Sequence, residues 1–215
     1  MNNSLTPFEY SIYKEEIIKT VILFVYNQLA AWRDNPFRTQ LESEPDLAND
    51  LVTYLSQKAH NAEENFLFNH EEPQAGMCRV DFAAFPTGDD EDYTKKITVF
   101  ECKRLPLPEK HRENEYVVGH LGGIERFKLE KHGARHDIVG MVGFIQSETI
   151  SYHLVKLNGF VSNLKKGESK SILSWREDTI INTIEHCGDD LFHGMSRHQR
   201  LRLNSVLIHH LWVVL

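Results

Sequence analysis

Three ionisable residues stand in apolar segments whose period is too short for a helix. Asp81 interrupts the segment Val80–Phe85, and Glu101 and Lys103 end the segment that begins at Lys96. Because alternate side chains of an extended strand share a face, Glu101 and Lys103 should project from the same side, roughly 7 Å apart. Unpaired charges inside a core would be strongly destabilising, so we expect this face to lie at a sheet margin or in a cleft.

Two carboxylates on neighbouring strands beside an ammonium group suit metal-assisted hydrolysis. Mg²⁺ takes oxygen ligands and keeps several waters, so Asp81 and Glu101 would form a natural site for Mg²⁺ or Mn²⁺. The ion would polarise a phosphate and acidify an attacking water. Lys103 would orient that water or offset the charge that develops in the transition state. These residue types therefore favour phosphodiester hydrolysis, and a structural ion-pair cluster at the end of a sheet is the competing interpretation.

The apolar pattern around these residues predicts helices followed by strands. Helical spacing covers residues 8–32, and a second helix runs from Ser43, an N-cap followed by Pro45 in the first turn, to about His60. Shorter periods predict three consecutive strands, over 65–70, 77–86 and 96–103. The later predicted elements are helices over 114–131 and 148–164, a buried strand over 137–146, a polar loop after 164, and a final strand over 205–215 that closes a sheet edge.

The motif and its element order resemble the PD-(D/E)xK superfamily of restriction-endonuclease-like nucleases. Asp81, nineteen intervening residues and Glu101-Cys102-Lys103 match the motif, although Arg79-Val80 precede the Asp where some members have a proline. The resemblance covers about residues 43–146 and implies an α/β fold. Its core of helix, three strands, helix and strand would form a mixed central sheet flanked by helices, with an extra N-terminal helix. The implied activity is that of a Mg²⁺-dependent endonuclease acting on nucleic acid, most directly DNA, in restriction or antiviral defence.

The same resemblance suggests further residues outside the motif. Some members place a Glu on the helix before the first strand, and Glu44 is the nearest match for a third metal ligand. The preference of acids for a helix N-terminus explains Glu44 equally well. The helix after the ExK strand lies beside the active site in such proteins, so Arg126, His120 and Lys128 are candidates for contacts with nucleic-acid phosphates. Glu168-Ser169-Lys170 repeats the ExK pattern in a predicted polar loop, without a strand before it, and is interpreted as a decoy.

Composition and charge place the chain among ordinary globular proteins. With 41% hydrophobic and 26% charged residues and no repeat or linker, we expect one domain over residues 1–215. The net charge of −7 does not by itself favour nucleic acid, but residues 42–92 hold 13 acids against 2 Lys/Arg, whereas residues 103–136 hold 8 Lys/Arg against 5 acids. Three cysteines without a CxxC pair argue against a disulfide framework and a zinc cluster.

The sequence also bears on the location of the protein and on its partners. The early apolar run Val21–Tyr26 is too short to span a membrane, and the start lacks a signal-peptide pattern, so no membrane partner and a cytoplasmic location are predicted. Many such nucleases form homodimers to cut two strands, but no sequence feature fixes the oligomeric state. The alternatives are a non-catalytic nucleic-acid or protein-binding module that keeps the nuclease fold, and a metal-independent structural subunit of a larger complex.

Overall fold

Four helices and seven strands make up the described chain. The computed structural model describes residues 7–38, 41–74, 78–87, 95–106, 114–119, 122–167 and 173–215, and only the backbone of 7–13, 186 and 187. The helices are α1 (Pro7–Arg33), α2 (Glu44–Asn61), α3 (Gly123–Lys128) and α4 (Ile150–Lys166). The strands are β1 (Phe66–Pro73), β2 (Arg79–Pro86), β3 (Thr98–Leu105), β4 (Ile138–Ile145), β5 (Asn182–Cys187), β6 (Leu191–His198) and β7 (Val206–Val214).

All seven strands belong to one mixed sheet, in the order β1-β2-β3-β4-β7-β6-β5. The pairs β3–β4 and β4–β7 are parallel, and the pairs on either side of them are antiparallel. Parallel neighbours need long crossover connections. The segment with α3 makes the first of them, and the segment with α4, β5 and β6 makes the second. This confirms an α/β fold with a mixed sheet flanked by helices.

A hydrophobic core lies on each face of the sheet. On one face, side chains of α1 and α2 pack against Phe100, Phe144 and Leu211 of the central strands. On the other face, α3 and α4 cover a second cluster that includes Val99 and Met141. Because β3 and β4 are covered on both faces, β4 is apolar throughout and every residue of β3 except Arg104 is buried. The ionisable residues of β3 are therefore exceptions that need partners.

The predicted boundaries of three helices agree with the structure. Ser43 caps α2, its hydroxyl accepting the N–H of Asp46 at 3.2 Å, and Thr149 caps α4 in the same way. In contrast, the helix predicted over 114–131 is reduced to the six residues of α3, preceded by turns over 114–119. The chain folds back so closely there that a Cβ on Gly122 would lie 2.3 Å from the carbonyl carbon of Val118.

Two predictions about the end of the chain are wrong. The polar loop expected after residue 164 contains β5 and β6, and β7 is not at an edge but lies between β4 and β6. The sequence of β6 is Leu-Phe-His-Gly-Met-Ser-Arg-His. Because of its polar side chains, apolar periodicity does not predict it as a strand. Among the described helices, none is both long and apolar enough to cross a membrane.

Candidate active site

The site begins where β2 and β3 separate. The paired register of these strands runs only as far as Phe82 on β2. Beyond this point, the N–H of Cys102 donates to Oδ2 of Asp81 at 2.6 Å, and the N–H of Arg104 donates to Oε2 of Glu44 at 3.0 Å. The two carboxylates thus replace the strand carbonyls that would otherwise accept these amide protons. The separation of the strands leaves room for acidic side chains beside β3.

Asp81 and Glu101 lie next to each other in this gap. Continuing the β2–β3 register places Asp81 and Glu101 at opposite positions. The side chain of Asp81 accepts the backbone N–H of Cys102, the residue after Glu101. Residues opposite each other in an antiparallel pair point to the same face. The prediction that the two acids lie on adjacent strands is confirmed.

The ammonium group of Lys103 joins two acids. Its Nζ lies 3.0 Å from Oε1 of Glu101 and 2.9 Å from Oε1 of Glu44, and it donates to the carbonyl of Cys102 at 2.9 Å. Glu101 and Lys103 are 2% and 5% exposed, whereas 26% of the Glu44 side chain is exposed. The ion pair is therefore buried, and Glu44 lies at its solvent side.

Two residues that follow the ExK strand hold Glu101 from the other direction. Nη1 of Arg126 lies 3.5 Å from Oε1 of Glu101, and Nδ1 of His132 lies 3.0 Å from Oε2. Arg126 also contacts Nε2 of His132 at 3.3 Å. Since Arg can only donate, Nε2 of His132 is the acceptor, and the proton of a neutral ring is on Nδ1, facing Glu101. This ring proton is poorly aligned, so Oε2 of Glu101 is buried without a hydrogen-bond partner.

His132 was not among the predicted site residues. It lies in the connection between α3 and β4, and no motif spacing relates it to Glu101. The ring is fully buried, and it packs edge-on against Phe127. Only the path of this connection brings it to the site.

The three motif residues differ in their proton affinity. Burial, followed by the nearby charge of Glu101, raises the pKa of Asp81 to about 8. Burial would also raise the pKa of Glu101, but Lys103 and His132 outweigh it and lower this pKa to about 2. For Lys103, burial favours the neutral form, yet Glu101 and Glu44 prevail and raise its pKa. At neutral pH, Lys103 is an ammonium, Glu101 a carboxylate, and Asp81 largely a neutral acid.

The donor atoms of Asp81 and Glu101 suit a hard divalent cation. Each keeps one carboxylate oxygen without a hydrogen bond to the described residues: Oδ1 of Asp81 and Oε2 of Glu101. Mg²⁺ needs few protein oxygens because it retains waters. Both oxygens of Glu44 accept a hydrogen bond, one from Lys103 and one from the N–H of Arg104, and its role as a metal ligand stays a prediction. Within the described residues, no three His, Cys, Asp or Glu side chains form a ready-made metal site.

Lys128 was predicted to contact nucleic acid, but its position contradicts this. Its ammonium is buried in a salt bridge with Asp178 and donates to the carbonyls of Ser174 and Gln199, both at 3.0 Å. It also lies 4.5 Å above the ring of Trp175. Lys128 and Asp178 lie far apart in the sequence, so their pairing could not be predicted from it.

Of the other predicted residues, the structure describes Arg126 only. Arg126 lies at the site with 20% of its side chain exposed, as a contact to phosphate requires. His120 and the decoy Glu168-Ser169-Lys170 lie outside the described residues.

A chain of buried polar groups begins at Tyr116 and crosses β7 and β6. Tyr116 bonds through its hydroxyl to Nδ1 of His210 at 2.8 Å, and Nε2 of His210 contacts Ser196 at 2.7 Å. Ser196 lies 2.6 Å from Nε2 of His198, whose Nδ1 is 3.2 Å from Asp178. The last three residues have the order of a Ser-His-Asp hydrolase triad. All three are at most 2% exposed, so a substrate cannot reach the serine.

Comparisons of the chain with protein-family models, with curated proteins and with solved structures find no match. The geometry of the site is therefore the basis of the functional assignment.

Proposed function

We propose that this protein is a metal-dependent nuclease that hydrolyses phosphodiester bonds of nucleic acid, with DNA as its substrate. The observation that carries the proposal is the pair formed by Asp81 and Glu101 at the gap between β2 and β3, with Lys103 two residues further on. Within the described residues, each acid has one oxygen that accepts no hydrogen bond, and burial together with the charge of Glu101 raises the pKa of Asp81, so its carboxylate form would be stabilised by a further positive charge. A divalent ion is the simplest means of supplying that charge.

Asp81 and Glu101 would hold Mg²⁺ or Mn²⁺. When bound, such an ion polarises the scissile phosphate and acidifies the attacking water. The loss of the Asp81 proton would accompany binding, because only the carboxylate is a good ligand.

Lys103 acts as a fixed positive charge in this scheme and not as a general base. Its raised pKa keeps it protonated at any working pH, and Glu101 and Glu44 hold its ammonium in place. An ammonium beside the reacting phosphate offsets the negative charge that develops in the transition state. Glu44 is then a positioning residue for Lys103, and Arg126 is a second cation that can contact a phosphate oxygen.

The alternative is a non-catalytic binding module. It is favoured by the contacts of Glu101, which already satisfy its charge through Lys103 and Arg126. Thermal unfolding with and without Mg²⁺ separates the two, since a ligand of the folded state raises the midpoint. An adaptor should show no Mg²⁺-dependent shift.

The direct test is cleavage of plasmid, linear duplex and single-stranded substrates with Mg²⁺ or Mn²⁺, using chelator as the control. We expect cleavage by the wild type and its loss, by on the order of a hundredfold or more, in Asp81→Ala, Glu101→Ala and Lys103→Ala. Combined substitutions should lose little more than single ones, because the residues act on one phosphate as a unit.

Glu168→Ala and Lys170→Ala, which remove the decoy pattern, provide matched controls of the same residue types. They should cleave at the wild-type rate. Inactive decoy variants together with active Asp81, Glu101 and Lys103 variants would refute the site assignment.

A further inference from the structure

A contact between two loops joins distant parts of the chain. Arg200 follows β6, and its guanidinium donates to the carbonyl of His136 at 3.0 Å and pairs with Asp137, which directly precedes β4. The next residue, Leu201, donates its N–H to the carbonyl of Lys128 at 3.0 Å. Arg200 is 4% exposed, so this contact is a buried anchor. The loop after β6 is thereby fixed on the connection between α3 and β4.

This contact brings together two segments that carry exposed cations. Lys131 and Arg135 lie on the connection between α3 and β4, and Arg197 and Arg202 lie at the end of β6 and in the loop after it. All four side chains are exposed. We refer to Lys131, Arg135, Arg197 and Arg202 as the basic surface.

Two acids, Glu130 and Asp137, lie near the basic surface, and within the described residues neither forms an ion pair with its four cations. Glu130 accepts the backbone N–H groups of Arg202 and Leu203, and Asp137 pairs with the buried Arg200. Arg197 contacts the hydroxyl of Ser205 at 3.2 Å. Within the part of the chain that the structure describes, no ion pair neutralises any of the four cations. The surface is therefore locally positive on a protein whose net charge is −7.

The basic surface adjoins the candidate active site through His132. This residue directly follows Lys131, and its Nδ1 lies 3.0 Å from the carboxylate of Glu101. The same connection is held on the β1–β2 side by the N–H of Gly133, which donates to Gln74 at 3.1 Å. The connection between α3 and β4 thus contacts Glu101 through the buried His132, and it carries the exposed side chains of Lys131 and Arg135.

We propose that the basic surface binds the phosphate backbone of double-helical DNA beside the cleavage site. This inference rests on the proposed nuclease function for its substrate class. Duplex DNA carries about one charge per 1.7 Å of its axis, so four cations on one surface face several phosphates at once. The two segments that carry these residues, 129–137 and 197–205, contain no Phe, Tyr or Trp, whereas single strands are typically held by aromatic side chains on which bases stack.

The test is binding of a labelled duplex in the presence of chelator, so that no cleavage occurs, followed by a titration with salt. The triple variant Lys131→Gln/Arg135→Gln/Arg202→Gln is compared with Lys19→Gln/Lys58→Gln/Lys166→Gln, which removes the same charge from α1, α2 and α4. We expect the first variant to bind at least about tenfold more weakly at low salt, with a salt dependence shallower by about 2 to 3 in log–log slope. The control should stay within about twofold of the wild type.

The outcomes separate this inference from the nuclease proposal. A weakened, shallower titration confined to the first variant supports the basic surface whether or not the protein cleaves DNA. Equal titrations of the two variants, or no duplex binding by the wild type, overturn it even if cleavage is observed. Tighter binding of a single strand of the same length overturns the assignment to the double helix. The double variant Lys131→Gln/Arg135→Gln, which leaves the loop after β6 untouched, guards against an effect of misfolding.

Discussion

Asp81 carries the carboxyl group of the site that is least able to ionise. Its pKa of about 8 in the folded chain compares with 3.8 for the free group. Between these pH values the folded state holds a proton that the unfolded state has released, so the free energy of unfolding falls as pH rises through this window. Asp81 therefore lowers the free energy of unfolding near neutral pH.

The variant Asp81→Asn should therefore be more stable than the wild type. Its amide oxygen still accepts the N–H of Cys102, and it has no charge to bury. We expect a gain on the order of 1–3 kcal/mol at about pH 8 that disappears by about pH 4, measured by urea unfolding across this range. Mg²⁺ should raise the midpoint of the wild type and leave that of the variant unchanged. A gain that does not depend on pH would disprove the assigned pKa.

Glu101 and Lys103 should behave in the opposite way. The sequence alone predicts that alanine substitutions in the motif leave stability nearly unchanged or raise it. The structure changes this prediction for Glu101, because its removal leaves Lys103 and Arg126 without their shared partner. Glu101→Ala should destabilise the protein by about 3–5 kcal/mol, as expected when one member of a buried ion pair is lost.

A double-mutant cycle checks this prediction by chemical unfolding. Glu101→Ala/Lys103→Met should be less destabilised than the sum of its single substitutions, since no buried ammonium is left facing a missing acid. Strict additivity would show that the two charges do not stabilise each other.

The site was predictable as far as strand periodicity reaches. Glu101 and Lys103 are two positions apart on one strand, and Asp81 interrupts the neighbouring strand, so local sequence placed all three. His132 and the true setting of Lys128 depend on the path of loops and on partners far along the chain, such as Asp178. No local pattern encodes those contacts.

At the level of elements, the position of β7 in the sheet has a measurable consequence. Leu211 of β7 is fully buried between β4 and β6, whereas Ile184 lies on the edge strand β5 and is 47% exposed. Leu211→Ala should lower the free energy of unfolding by about 2–5 kcal/mol, because it leaves a cavity in a closed core. Ile184→Ala should lower it by no more than about 0.5 kcal/mol.

Urea unfolding of the two variants measures the difference between centre and edge. Similar small losses in both would mean that β7 does not occupy the centre of the sheet.

The elements themselves were predicted unequally. Apolar spacing predicted helices α1, α2 and α4 and strands β1 to β4, and the cap Ser43 predicted where α2 begins. Strand β7 was found but misplaced, although its nearly continuous apolar sequence is the pattern of a strand covered on both faces. Strands β5 and β6 were missed because residues such as Ser196 and His198 are buried by hydrogen bonding, which hydrophobic patterns do not record.

For the whole molecule, buried histidines predict sensitivity to acid. Burial lowers the pKa of His136, His193 and His209 to about 4. Histidines of the unfolded chain bind protons near pH 6.5. Between about pH 6.5 and pH 4 the unfolded state therefore holds protons that the folded state does not bind. The free energy of unfolding should fall as pH drops from about 6.5 to about 4. Glu101 adds a further loss below about pH 4.5, as its own lowered pKa is approached.

The pair His193 and His209 allows a matched test, since their rings bond to each other at 2.8 Å. Replacing both with Leu removes donor and acceptor together, which need not destabilise the fold. In this acid range the pH slope of the free energy of unfolding should become shallower by up to about 2.7 kcal/mol per pH unit, one proton for each histidine. An unchanged slope would show that the two rings titrate normally.

The central position of β7 also bears on how the chain reaches its native state. It is the last of the seven strands to be synthesised, yet it separates β4 from β6 in the finished sheet. Until it arrives, β4 and β6 each present an unpaired edge, and the hairpin of β5 and β6 has no sheet to join. Pairing across such sequence distances is slow, and open edges promote aggregation of nascent chains. We therefore expect the sheet to close only once β7 has been synthesised, with β4 and β6 exposed as open edges until β7 is inserted between them.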